Sequence, residues 1–156
     1  MRMKKLVGFA MVLGLVLLTG VAFAGDSNTL TVSASVVGTC KFSSTTSSLD
    51  FGSLDPSVGT NANASTTTQF WCTKGVTTDA VSADNGSNFS NGKRNMKDNV
   101  SSDLIPYTLT LTKDGLPNAG PSSPRTLTIA GQVLGTDYTG KSAGSYLDTV
   151  IISINL

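Results

Sequence analysis

The chain has 156 residues, with eleven basic and ten acidic side chains and a formal charge of +1. It contains no His, no Glu and only two Cys. That excludes a Cys/His zinc site and removes the residue types on which general acid–base catalysis most often relies.

The first 24 residues read as a secretory signal peptide. Arg2, Lys4 and Lys5 make a basic start, "LVGFAMVLGLVLL" is an apolar run short for a bilayer span, and Ala22 and Ala24 sit where a signal peptidase reads small residues. Removing 24 of 156 residues leaves 132, enough for one domain with one core. The remainder carries eight basic and ten acidic residues, a net charge of about −2. Nothing in that balance marks nucleic acid or an anionic membrane as a partner. Export also decides the chemistry of Cys40 and Cys72, since a pair of thiols in an oxidising compartment forms one disulfide.

After the leader, Thr29–Val37 alternates, with Leu30, Val32, Ala34 and Val36 on one face. Gly38 breaks it, and "CKF" and a Ser/Thr-rich stretch follow. Leu49–Asp55 is a short apolar piece closed by Pro56 and Gly59. Ser65–Thr73 reads as a strand, and Lys74-Gly75 turns into a further one at Val76–Ala83. Asp84–Asn99 is polar and turn-rich and reads as a loop or a mobile hairpin, with Arg94 and Lys97 solvated. Ile105–Thr112 alternates with Tyr107, Leu109 and Leu111 inward, and Pro106 marks an edge or a bulge. Thr126–Leu134 is a strand and Gly135–Gly144 a loop.

The closing stretch alternates from Tyr146, with Val150, Ile152, Ile154 and Leu156 on one parity. The chain stops there, so no later strand is expected beside it, and an apolar strand edge left bare invites pairing with another chain. In total about seven short strands with no helix after the leader fit an antiparallel β-sandwich.

Five segments in this order resemble the spore coat protein U domain family, which includes the subunits of archaic chaperone–usher pili: "TVSASVVGTC", "LDFGSLDP", "FWCTKG", "KRNMKDN" followed by "LIPYTLTL", and "GSYLDTVIISINL". The last, a Gly, a Tyr and an Asp ahead of an alternating apolar strand, is the most specific. The resemblance implies an all-β, incomplete immunoglobulin-like antiparallel sandwich completed by a donated strand. It implies three segments: the signal peptide at 1–24, a donor extension at 25–37 and a pilin-like domain at 38–156. Leu30, Val32, Ala34 and Val36 fall in the donor segment, Val150, Ile152 and Ile154 border the acceptor groove, and Cys40 and Cys72 match the paired cysteines. The implied partners are a periplasmic chaperone, an outer-membrane usher and neighbouring copies of the chain or other pilins. No cofactor is implied. The implied product is a cell-surface pilus supporting adhesion or biofilm formation.

Other readings stand beside this one. On its residues alone, Thr29–Val37 also reads as the first strand of a closed domain, and Asp148–Leu156 as a core strand with an intramolecular partner. A monomeric secreted coat-like or carbohydrate-binding surface protein would use the same sandwich. Trp71 reads as packing against the sheet, with sugar stacking as its alternative. Asp50, Asp55 and Asp148 do not compose a catalytic site, and no Ser lies in a nucleophile-elbow context.

Overall fold

A computed structural model describes residues 25–156. The predicted signal peptide lies outside the described residues. The chain divides into two units, residues 1–34 and 35–156.

Of the first unit, residues 25–34 carry no strand, and the alternating side chains are open to solvent, with Leu30 82% and Val32 84% exposed.

The second unit holds eight strands: β1 (Cys40–Phe42), β2 (Ala62–Cys72), β3 (Ala80–Ala83), β4 (Arg94–Asp98), β5 (Leu104–Lys113), β6 (Arg125–Val133), β7 (Tyr146–Leu147) and β8 (Ile152–Asn155). A one-turn helix, α1 (Gly135–Tyr138), lies in the segment expected to be loop. All pairings are antiparallel. One sheet has the order β1-β2-β6-β5-β4-β7 and the other contains β3 and β8. In the immunoglobulin sandwich one sheet runs A-B-E-D and the other C-F-G. Here β1, β2, β6 and β5 reproduce the first, and β3 and β8 stand as C and F. No described strand takes the place of G. The fold is therefore an immunoglobulin-like sandwich short of one strand.

Period-two alternation builds the large sheet. Along β2 the even positions from Ala62 to Cys72 turn inward, and along β6 the odd positions from Arg125 to Val133. Three expectations need correction. Asp84–Asn99 is not all loop, because β4 pairs with β5 from Arg94↔Tyr107 to Lys97↔Leu104. Arg94 is not simply solvated: its guanidinium donates to the carbonyls of Ala83 and Asp84. The closing stretch is not one strand, since β7 and β8 belong to different sheets. Pro106 does sit where β5 has a neighbour on one side only, as β5 pairs with β6 only from Thr108 onward.

The core is lopsided. Among the described residues the buried apolar side chains are Phe70, Cys72, Ile105, Leu127, Ile129, Val133 and Tyr138, all on the large sheet or α1. Val81, Ile152 and Ile154 on the small sheet, and Leu109 and Leu111 facing them, are only partly buried. Cys40 and Cys72 are directly opposed in the β1–β2 register and joined by a disulfide. That bond closes a 32-residue separation, worth roughly 3–4 kcal/mol in the chain-entropy picture.

Candidate functional site: an open groove beside the last strand

A groove runs along the incomplete side of the sandwich and encloses a cavity of about 250 Å³. Its floor is the inner face of the large sheet, with Thr66, Met96, Tyr107, Leu109 and Ile129. One wall is the chain from Ser47 to Phe51, and the other runs from Tyr146 through Asp148 and Val150 to Ile152.

The first wall depends on a glycine in mid-strand. Leu49 and Phe51 lie over Gly131 of β6 so closely that a Cβ there would come within 2.9 Å of both side chains. Gly52, at φ 69°, turns the chain back after Phe51. The Phe51 ring also meets Tyr107, with centroids 6.2 Å apart.

From Thr149 onward the second wall is fastened along one edge. The amide of Asp84 donates to the Ile151 carbonyl at 3.0 Å, and that of Ser87 to the Thr149 carbonyl at 3.0 Å. The Ile151 amide donates to Asp84 Oδ1 at 3.0 Å. Successive residues of an extended chain aim their backbone groups at opposite edges. Residues 149 and 151 therefore face β3 and its continuation, and Ile152 and Ile154 present N–H and C=O to the groove. Their side chains point to the interior and are half-buried, whereas Ile151 points outward and is 64% exposed.

Between β7 and β8 the chain crosses from one sheet to the other, and Asp148 holds the crossing. Its Oδ2 accepts from Tyr107 Oη at 2.7 Å, and its Oδ1 from the Asn88 amide and side chain at 3.1 Å each. Burial first, and then the bond to Asp148, push the Tyr107 hydroxyl well above the usual tyrosine range.

Of the residues singled out from sequence, Val150, Ile152 and Ile154 are all half-buried, and Val150 and Ile152 line the cavity. Leu30, Val32, Ala34 and Val36 are exposed and belong to no strand. Leu49, Phe51 and Tyr107 also shape the groove. "LDFGSLDP" and the Tyr-x-Asp of the last segment carried that signal, but neither reveals its partner locally. Among the described residues no cluster of three or more His, Cys, Asp or Glu could hold a metal.

The fold and groove define a class: an immunoglobulin-like domain with one strand's place left open. Residues 26–153 match the Spore Coat Protein U domain, and the chain belongs to that family. Among curated proteins it has no match. Among solved structures it is similar to a chain in the crystal structure of the CsuC–CsuE chaperone–tip adhesion subunit pre-assembly complex from the archaic chaperone–usher Csu pili of Acinetobacter baumannii. The two are 19% identical with a TM-score of 0.51, over 78% of this chain and 40% of that one. At that identity the likeness concerns the fold.

Proposed function

We propose that the chain is a structural subunit of an extracellular pilus assembled by the chaperone–usher pathway. After export it is held by a periplasmic chaperone that occupies the groove. At an outer-membrane usher the extension of another subunit, residues 25–37, replaces the chaperone. The subunit then becomes part of a surface filament that supports adhesion or biofilm formation.

One observation carries this reading: the bare edge of β8 beside a half-exposed apolar interior, in a chain whose alternating segment Leu30–Val36 has no strand partner of its own. Strand addition satisfies both at once, since backbone bonds supply affinity and alternate side chains fill the interior. Burying a Leu or Val contributes about 1.5–3 kcal/mol. Leu30, Val32 and Val36 with Ala34 would supply on the order of 5–8 kcal/mol before ordering costs. The contact is head-to-tail and does not close on itself, so it propagates a filament.

The test is export with and without a cognate chaperone. Co-expression should raise the yield sharply, and the assembled material should run as a ladder of SDS-resistant multimers. A well-behaved monomer at equal yield without the chaperone would refute the proposal.

A further inference from the structure

From the geometry of the groove we infer the register in which one copy's extension enters the next: Leu30 beside Ile154, Val32 beside Ile152 and Ala34 beside Val150. This rests on the donor-strand reading above and narrows it to named pairs.

The direction comes from the fold. The vacant place is that of strand G, which runs antiparallel to its neighbour in the immunoglobulin sandwich. The incoming chain therefore travels from Ile154 toward Tyr146.

The depth comes from where the extension is tied to its own domain. The Thr39 amide donates to Thr73 Oγ1 at 3.0 Å, and the Thr73 amide to the Thr39 carbonyl at 2.8 Å. Thr73 Oγ1 also donates to the Val37 carbonyl. Gly38 lies against Val76 and Leu156, where a Cβ would be 3.3 and 3.7 Å away. The donor's domain thus begins directly after Val36, with no slack. Each two-residue step deeper draws that domain about 7 Å into the acceptor, where Tyr146 and Asp148 stand. Val36 must stay at the mouth.

Sliding the strand outward by two residues has its own cost. Asn28 would then face Ile154, which packs against the apolar cluster of Phe70, Cys72, Leu127 and Ile129. An amide placed there has no partner. The chosen register also sets the one small side chain of the alternation, Ala34, at Val150, which lines the cavity together with the Phe51 and Tyr107 rings.

The experiment uses full-length subunits assembled in the presence of chaperone and usher, with the native disulfide retained. One subunit type carries Val32→Cys and the other Ile152→Cys, so that only an intermolecular bond can join them. Opposed residues in a hydrogen-bonded antiparallel pair have Cα atoms about 5.5 Å apart, within disulfide range. Oxidation should give a covalent dimer that is lost on reduction. Leu30→Cys or Ala34→Cys paired with Ile152→Cys, displaced by two residues, should give little. A dominant dimer from either displaced pair overturns the register and leaves strand donation standing. If filaments form and no pair cross-links, strand donation through this groove is itself refuted.

Discussion

Tyr107 on β5 donates its hydroxyl to Asp148 at 2.7 Å across 41 residues of sequence, and so ties the large sheet to the segment that leads into β8. The bond has a consequence in alkali. The folded state raises the Tyr107 hydroxyl above its ordinary 10.0. Above that ordinary value the unfolded chain releases the proton while the folded chain keeps it. The unfolded state then binds fewer protons, and stability falls as pH rises.

Tyr107→Phe should therefore cost about 1–2 kcal/mol at neutral pH, the loss of a hydrogen bond to a charged acceptor on a half-buried group. It should also flatten the decline in stability above about pH 10. Urea unfolding of both proteins between pH 7 and 11 measures this. Parallel curves throughout would mean that the hydroxyl is not held as described.

Gly144, in the same segment, answers to a different constraint. The Asp98 carboxylate is buried, its Oδ2 takes the Val100 amide at 3.2 Å and the Ser101 hydroxyl at 2.6 Å, and its Oδ1 lies against Gly144 without a hydrogen-bond partner. A Cβ at 144 would overlap that oxygen. Gly144→Ala should destabilise the domain by about 1–3 kcal/mol. Gly140→Ala, which meets nothing within 4 Å, should be near neutral. Thermal melts of the two variants give the comparison, and equal melting temperatures would contradict the packing.

These two residues show what the sequence could and could not reveal. Alternation exposed β5 and β6 because most of their inward positions are apolar, Ile105, Tyr107, Leu109 and Leu111 on one and Leu127, Ile129 and Val133 on the other, while Thr recurs on the outward parity. It missed β4, whose two buried side chains are the polar Asn95 and Asp98, 4% and 1% exposed and on opposite parities of the strand. Asn95 is satisfied by the carbonyls of Asn88 and Lys93, and such a polar interior has no hydrophobic period to detect. Alternation also overran at Tyr146–Leu156. The even parity does face inward, but Asp148 and Ile151 are claimed by Asn88, Tyr107 and Asp84, partners 41 to 67 residues away. Those bonds break one apparent strand into two. The groove's near wall was half legible: "LDF" is plainly apolar, yet its seat on Gly131 exists only once β6 is in place.

Arg125 anchors the far end of the large sheet. Its guanidinium meets Asp79 at 2.6 Å and Asp114 at 3.0 Å and lies over the Phe70 ring at 5.1 Å. Burial opposes the charge of Asp79, but Lys113, Arg125 and Asn118 outweigh it and hold the carboxyl below its ordinary 3.8. A depressed carboxylate stabilises the fold above that ordinary value, and the contribution is lost as pH falls through the folded-state value. Stability should therefore drop as pH falls below about 4, and Asp79→Asn should make the drop shallower. Arg125→Met should cost about 3–5 kcal/mol at neutral pH, because it strands buried acid groups. Acid titrations followed by circular dichroism test both. An Arg125→Met protein as stable as the parent would show that the buried pairs contribute no net stability.

The proposed donor and acceptor roles should separate by mutation. Val32 is exposed and outside the second unit, so Val32→Asp should leave the domain folded and able to bind its chaperone. In assembly that carboxylate would enter another subunit's apolar groove, where an unpaired buried charge costs several kcal/mol or must take up a proton. Multimers should fail to form. Ile152 packs against the core formed by Phe70, Cys72, Leu127 and Ile129. Ile152→Asp should therefore damage the groove itself and abolish both chaperone binding and assembly. Circular dichroism, a chaperone pull-down and multimer gels on the two variants decide the matter. If Val32→Asp unfolds the domain as thoroughly as Ile152→Asp, the Leu30–Val36 segment belongs to its own sandwich and donates to no neighbour.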